Sequence, residues 1–270
     1  MITVAGLCAH LDATIPFAWA APWDRVGLLV GNGEVAVTRV LVSLDPTPDA
    51  LDRAEHAGAN VLVTHHPAFL DPLDSVVAAA GAAGVAYEAA RRGIALIACH
   101  TNLDRAPGGA DALPTVLGLE IVGPLEASEA VGDGVPLAGR LCEPGDARTL
   151  GALATLVGTR LGVGTRVWGD PSTPVTLVAL APGSGRSLVD FALAAGADAL
   201  VTGELRYHVA HDALQRGLPI IEAGHDATEW PLTGALARIV ERTPGLDPHD
   251  VVTDSISYPW RMVTKGSECT

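Results

Sequence analysis

The fold is decided by Ala54-Glu55-His56-Ala57-Gly58-Ala59-Asn60-Val61-Leu62-Val63-Thr64, which predicts a helix end, a glycine turn and a short buried strand. The same outline returns in Leu193-Ala194-Ala195-Gly196-Ala197-Asp198-Ala199-Leu200-Val201-Thr202. A second pair follows at similar spacing, because Arg92–His100 resembles Arg216–His225 and each run ends at a histidine. The sequence therefore predicts one structural unit that occurs twice.

Each half also contains an earlier strand candidate, Val40–Leu44 in the first and Val175–Leu180 in the second. Predicted turns at residues 45–48 and 182–185 follow these strands, and a helical pattern follows each turn. The repeated unit is then β-α-β-α-β, which is typical of mainly parallel sheets covered by helices on both faces. The alternative is that the internal match reflects only the general likeness of alanine-rich α/β proteins.

This pattern predicts an α/β protein in three parts. Residues 1–125 form the first α/β motif, residues 126–170 a connector with a small elaboration, and residues 171–270 the second motif. Within the connector region a helical pattern runs over residues 147–161. The tail predicts a last strand within residues 251–260 that can return to the first motif.

Composition narrows the class of protein. The 270 residues are 49% hydrophobic and include 30 glycines, which suits a packed α/β chain, and no apolar run reaches the roughly 18 residues of a membrane helix. A formal charge of −14 opposes attraction to nucleic acid and to anionic lipid. The N-terminus has no basic segment of the signal-peptide kind, and the four cysteines form no CxxC pair. We therefore expect a cytoplasmic protein with reduced thiols.

The strongest site candidates lie where predicted strands end. His65 and His66 directly follow Val61–Thr64, and ligands of parallel sheets collect outside the carboxyl ends of the strands. Consecutive residues of a strand point in opposite directions, so each histidine could face a different metal ion; the alternative is one ligand and one core histidine. Asp104 is a further ligand candidate with His100 orienting it, unless this segment only caps a helix.

The second half supplies a matching set. His225 and Glu229 are four residues apart at a predicted helix start, and Glu229 is the natural carboxylate to bridge two ions. The alternative is an exposed first turn that suits the helix dipole. Glu204 or His208 could transfer protons or contact substrate, or could be surface residues. Gly183–Gly185 indicates a plain tight turn rather than an anion-binding loop.

Five motifs occur in the order known from one family; they are Trp23–Gly31, Thr64–Pro67, His100–Asp104, Thr202–Glu204 and Gly224–Glu229. Together they resemble the NGG-interacting-factor-like family, whose members are often labelled GTP cyclohydrolase 1 type 2 homologues. The resemblance implies two similar, intertwined three-layer α/β motifs with a metal cleft between them. It also implies a toroidal homo-oligomer, commonly a hexamer.

The resemblance also implies a dinuclear metal site, with its ligands at His65, His66, Asp104, His225 and Glu229. The chain departs from the family pattern at Phe69–Leu73, a place that commonly carries a lysine. The acidic Asp71 there would alter which substrate charges are tolerated.

Two functions remain open at this stage. The first is a metal-dependent hydrolase that holds two divalent ions, whether zinc, iron, manganese, nickel or magnesium, and attacks a small molecule such as a nucleotide or phosphoester through a metal-activated water. Glu204, His208 and His100 are then the candidate proton-transfer residues. The second is a non-catalytic metal-binding or metal-handling ring protein that recruits partners.

Overall fold

A computed structural model describes residues 1–127, 132, 134–255 and 260. The helices are α1 (Val4–Thr14), α2 (Pro48–His56), α3 (Ala82–Arg92), α4 (Thr101–Arg105), α5 (Pro107–Ala110), α6 (Ala112–Leu117), α7 (Leu150–Leu161), α8 (Val189–Ala194), α9 (Tyr207–Gln215) and α10 (His225–Glu241). The strands are β1 (Gly27–Val30), β2 (Val40–Ser43), β3 (Val61–Thr64), β4 (Ala95–Ala98), β5 (Glu120–Pro124), β6 (Arg140–Glu143), β7 (Arg166–Trp168), β8 (Val178–Ser184), β9 (Ala199–Glu204), β10 (Ile220–Glu222) and β11 (Val251–Thr253).

The first sheet has the strand order β1-β4-β3-β2-β11. Strands β4, β3, β2 and β11 are parallel, and β1 is antiparallel to β4 at one edge. The three central strands are buried over their whole length, as expected for a sheet covered on both faces. Ser43 pairs with Thr64 and Thr64 with Ala98, so the chain leaves β2, β3 and β4 at one common edge.

The second sheet has the order β5-β6-β8-β9-β10-β7. Its centre, β8-β9-β10, is parallel as predicted, but β5, β6 and β7 enter through antiparallel pairs. The predicted α/β fold with parallel sheets is therefore confirmed, with one difference: the second sheet is mixed, because antiparallel strands flank its parallel centre. The physical reason is that β6 and β7 lie in the connector and β5 just before it, and antiparallel neighbours need no helical crossover.

Strand β8 differs most from its sequence-based prediction. It begins three residues later than Val175 and continues through Pro182 and Gly183, where we predicted a turn. The pairing of β8 with β9 is irregular between Ala181 and Ser184, and Gly183 has φ +62°, a conformation open to glycine. The predicted turn at residues 182–185 is therefore wrong. Helix α7 begins at Leu150 rather than at residue 147, because Thr149 caps it by accepting a hydrogen bond from the backbone N–H of Ala152.

The two halves exchange elements. Helix α10 follows β10 of the second sheet, yet its Leu232, Leu236 and Val240 pack in one core with Val42 and Val63 of the first sheet. Helix α6 follows β4 of the first sheet but contributes Leu113 and Leu117 to the core that covers the second sheet. Each fully buried Leu or Val contributes about 1.5–3 kcal/mol, so each sheet depends on a helix from the other half.

The C-terminal strand completes this exchange. Strand β11 pairs in parallel with β2, and the buried Asp254 that follows it accepts hydrogen bonds from Nε and an Nη of Arg53, both at 2.7 Å, and from Ser43 Oγ at 2.8 Å. The ion pair and the strand pairing together attach the tail to the first sheet. The predicted tail strand thus occupies Val251–Thr253; residues 256–259 of the predicted segment lie outside the described residues.

None of the helices in the described parts of the chain is long and apolar enough to cross a membrane. Cys8, Cys99 and Cys142 are free thiols. Cys269 lies outside the described residues.

Candidate metal centre

Six of the predicted site residues meet where the first sheet faces the start of α10. His65 and His66 follow β3, His100 follows β4 as the residue that caps α4, and α4 carries Asp104. His225 and Glu229 lie on the first two turns of α10. Because parallel strands end at one edge and α10 crosses from the second sheet to the first, residues far apart in sequence come together here.

Glu229 is the centre of this cluster. Its Oε2 lies 2.9 Å from Nε2 of His66 and 3.0 Å from Nε2 of His225. Its Oε1 lies 3.8 Å from Nε2 of His65, which in turn lies 3.6 Å from Oδ1 of Asp104. The two oxygens of one buried carboxylate therefore face two different sets of side chains.

All four imidazoles are oriented in the same way. Nδ1 of His66 donates to Asp45 Oδ1 at 2.7 Å, and Nδ1 of His100 to Asp24 Oδ1 at 2.8 Å. Nδ1 of His225 lies 3.0 Å from both carboxylate oxygens of Glu204, and Nδ1 of His65 donates to the Cys99 carbonyl at 3.1 Å. Carbonyl and carboxylate oxygens can only accept a hydrogen bond, so in each of the four rings Nδ1 carries the proton. Each ring thus leaves Nε2 available, which is the arrangement of histidines that bind metal ions.

The cluster also contains buried polar atoms that a bound cation would satisfy. His65 Nε2 and Asp104 Oδ1 are buried without a hydrogen-bond partner, and so is Glu229 Oε2, although two ring nitrogens lie close to it. An unsatisfied buried polar group costs about 1–3 kcal/mol. Imidazole nitrogen with carboxylate oxygen suits zinc, iron, nickel and manganese. The residues present therefore fit a divalent metal ion.

Two trios lie close enough to hold a metal ion each: His65 with His66 and His100, and His66 with His225 and Glu229. The second trio consists of predicted ligands only. The first includes His100, for which we predicted proton transfer or an orienting role.

Charge in the cluster is balanced by protons on imidazole. Burial lowers the pKa of His66, but Asp45 and Glu229 outweigh it and raise that pKa to about 10. Glu229 is the main cause that raises the pKa of His225 to about 9. Burial opposes ionisation of Glu229, but the imidazoles around it hold its pKa well below the ordinary value. Burial also raises the pKa of Asp104. A divalent cation would replace these protons in neutralising Glu229.

The close approach of β8 to Glu229 requires glycine. A Cβ at Gly183 would lie 1.9 Å from Glu229 Oε1 and 3.2 Å from His225 Nε2. A Cβ at Gly203 would lie 2.7 Å from the Cα of His225. The backbone N–H of Gly183 donates to Thr228 Oγ1 at 2.9 Å, which holds the strand against α10. Gly183–Gly185 is thus neither a plain turn nor an anion cradle but the point of contact between β8 and the cluster.

Two residues that orient the imidazoles of the cluster were not predicted from the sequence. Asp45 binds His66, and Asp24 binds His100 and also accepts from the backbone N–H and Oγ1 of Thr101. The hydrogen bonds from His100 and Thr101 outweigh burial and lower the pKa of Asp24 to about 2. Asp45 lies two residues after the end of β2, so its position near a strand end was the available signal.

The three predicted proton-transfer residues are placed differently. His100 belongs to the cluster, and the exposed Glu204 contacts it through His225. His208 is exposed on α9, and its ring packs edge-on against Tyr207 at a centroid distance of 5.3 Å. The catalytic role of all three stays a prediction.

Fold and cluster together define an α/β protein of two interlocked sheets with a candidate metal site where they meet. The profile of the Duf34/NIF3 (NGG1p interacting factor 3) family matches residues 2–253, and the chain belongs to this family.

Individual relatives of known sequence and structure agree with this family assignment. The chain is 38% identical to a GTP cyclohydrolase 1 type 2 homolog of Streptomyces coelicolor over 258 residues, covering 93% of this chain and 90% of that protein. A crystal structure of a Staphylococcus aureus hypothetical protein superposes with a TM-score of 0.85 at 28% identity, covering 97% of this chain and 99% of that one. A Bacillus cereus protein related to NIF3 shares the fold at a TM-score of 0.83 and 23% identity, covering 97% of this chain and 99% of that one.

Proposed function

We propose that this protein is a metal-dependent hydrolase that holds two divalent ions per chain. The proposal is carried by the division of the predicted ligands around Glu229. His65, which also lies near Asp104, faces Oε1, whereas His66 and His225 face Oε2. A carboxylate whose two oxygens face two different sets of ligands is arranged as a ligand that bridges two metal ions.

Divalent ions, when bound by these residues, would supply a hydroxide nucleophile at neutral pH by lowering the pKa of water. The chain's own residues supply orientation and proton transfer. Asp45 fixes the ring of His66, and Glu204 fixes the ring of His225. Asp24 stays ionised at neutral pH and fixes the ring of His100 through Nδ1, and we assign His100 the protonation of a leaving group.

A nucleotide is the substrate class that we propose first, because the Streptomyces coelicolor relative is named a GTP cyclohydrolase 1 type 2 homolog. With GTP, the attack would fall on C8 of the purine. A phosphoester is the second class, since two ions can also clamp the attacking and leaving oxygens of a phosphoryl group.

The test combines metal analysis with a substrate screen. Wild-type protein loaded with zinc, manganese or iron is dialysed, analysed for metal content and assayed against nucleotides, phosphoesters and cyclic amides. We expect two ions per chain and turnover in one class. Glu229→Gln should lose both ions and turnover with its circular dichroism unchanged, whereas Glu34→Gln, in an exposed loop, should behave as wild type. Two tight ions in Glu229→Gln would refute the bridge, and two ions without any turnover would favour the non-catalytic metal-binding ring protein.

We further propose that the chain forms a homo-oligomer, as the family resemblance implies for a hexameric toroid. Strand β5 supports this, because it is the edge of the second sheet and its Ile121 and Val122 are 38% and 50% exposed. An apolar edge strand is a surface suited to another chain. Sedimentation equilibrium measures the assembly, and a monomer at micromolar concentration would contradict it.

A further inference from the structure

An exposed tryptophan stands beside the candidate metal centre. Trp23 is 60% exposed, and its ring centroid lies 5.9 Å from that of His100 at an interplanar angle of 75°. His100 in turn lies 5.1 Å from His65 and 5.6 Å from His66 by ring centroids. The indole is therefore one side chain removed from the predicted ligands and faces solvent there.

The backbone on both sides of Trp23 is tied down. Before it, the N–H of Ala21 donates to Thr101 Oγ1 at 2.8 Å. After it, Asp24 accepts from His100 and Thr101, and Arg25 Nε donates to the Leu70 carbonyl at 3.1 Å. Exposed side chains usually keep their freedom, but the main chain that carries this one is fastened to the loop after β4 and to the loop after β3.

Folding does not account for this arrangement. An indole that stays 60% exposed contributes little to the hydrophobic core, and an aromatic face in water lowers solubility. An aromatic ring on an anchored main chain at the rim of a polar site is suited to a planar ligand, because only the side chain remains to be ordered when the ligand binds.

Resting on the proposed function, we propose that Trp23 is the aromatic wall of the substrate site and stacks against a planar heteroaromatic ring. A ligand whose reacting carbon lies at the histidine cluster would extend past His100 and lay its ring against the indole. Stacking of this kind tolerates different bases, since every base has a π-face. Trp23 then selects for an aromatic ring as a class, and other contacts select among the rings.

The test compares ligands with and without a ring. Metal-loaded wild type, Trp23→Ala and Trp23→Phe are titrated with GTP, ATP and UTP, and with inorganic triphosphate as the ring-free anion, by calorimetry at low temperature. We expect Trp23→Ala to raise the Kd of the nucleotides about tenfold, the effect of one lost base stack, and to leave the Kd of triphosphate within about twofold. Trp23→Phe should lie between wild type and Trp23→Ala.

Tyr207→Ala is the matched control, because Tyr207 is 62% exposed but its ring contacts Trp168, His208 and His211 rather than the cluster. It should bind nucleotides as wild type does. Metal content and sedimentation are measured for every variant. An equal loss of nucleotide and triphosphate binding, an unchanged Kd in Trp23→Ala, or a Trp23→Ala variant that changes its oligomeric state would overturn the proposal.

Its failure is separable from failure of the metal site. Wild-type protein that holds two ions but binds none of the three nucleotides would refute the aromatic wall and the nucleotide class and leave the metal centre standing. Nucleotide binding that depends on Trp23 in protein that holds no ion would uphold the wall and refute the metal centre.

Discussion

Substitution of Gly183 by alanine tests whether the position of Glu229 determines metal binding. The new Cβ would lie 1.9 Å from Glu229 Oε1, so the carboxylate must retreat by about 1.5 Å before ordinary van der Waals contact returns. The left-handed backbone of Gly183, with φ +62°, adds about 1–2 kcal/mol of strain for an L residue. A functional constellation tolerates displacements of about 0.5 Å. We therefore expect metal affinity to fall at least about 100-fold.

Gly196→Ala is the control, because Gly196 has φ +69° and a Cβ there would meet nothing within 4 Å. Both variants should lose about 1–2 kcal/mol of unfolding free energy from backbone strain in urea denaturation, and Gly183→Ala should lose more, because its Cβ also displaces the Glu229 carboxylate. Only Gly183→Ala should lose its ions to a chelator in a competition assay read by elemental analysis. If Gly183→Ala retained two ions as tightly as Gly196→Ala, the role assigned to the Glu229 carboxylate would be wrong.

Three further predictions concern acidic residues. Asp45→Asn weakens the acceptor that orients His66 and should lower metal affinity about 10–100-fold in chelator competition; an unchanged affinity would contradict it. Asp254→Asn breaks the buried pair with Arg53 and should lower the free energy of unfolding by about 2 kcal/mol in urea, visible as a lower midpoint. Asp24 has a pKa depressed to about 2, so its contribution of about 1–2 kcal/mol is complete above the ordinary value of 3.8 and lost as pH falls through 2. The stability difference between wild type and Asp24→Asn should therefore narrow across that window, and a constant difference would refute this account.

Many residues of the candidate site can be predicted from the sequence because the ends of the buried strands can be predicted. A fully apolar run such as Val61–Thr64 predicts a buried strand, and the polar residues after it must lie at the carboxyl edge of a parallel sheet. The same rule applied to β2 would have indicated Asp45 as well. The repeat of the pattern in the second half then identifies His225 as a counterpart of His100.

Asp24 could not be found in this way. It precedes β1, and β1 is antiparallel to β4, with Gly27 paired to Ala98. The start of β1 rather than its end therefore lies at the site edge. The direction of an edge strand depends on long-range pairing, and no local pattern in residues 27–30 reveals it.

Gly183 shows a second limit. Proline followed by glycine is typical of a turn, and this rule alone predicted one at residues 182–185. In the structure Gly183 lies within β8, because the carboxylate of Glu229 occupies the space that a side chain at residue 183 would fill. Residue type shows where the backbone is unusual but does not show which distant neighbour makes it so.

The exchange of helices between the halves has a consequence for biosynthesis. During translation β1 to β4 of the first sheet emerge early, but the helix that covers their valine-rich face, α10, spans His225–Glu241 and is among the last elements to leave the ribosome. Until then the nascent chain carries an uncovered apolar surface and lacks both His225 and Glu229. The candidate metal centre can therefore form only late in the synthesis of this polypeptide, and a prematurely terminated product would expose apolar surface and lack two of the candidate ligands.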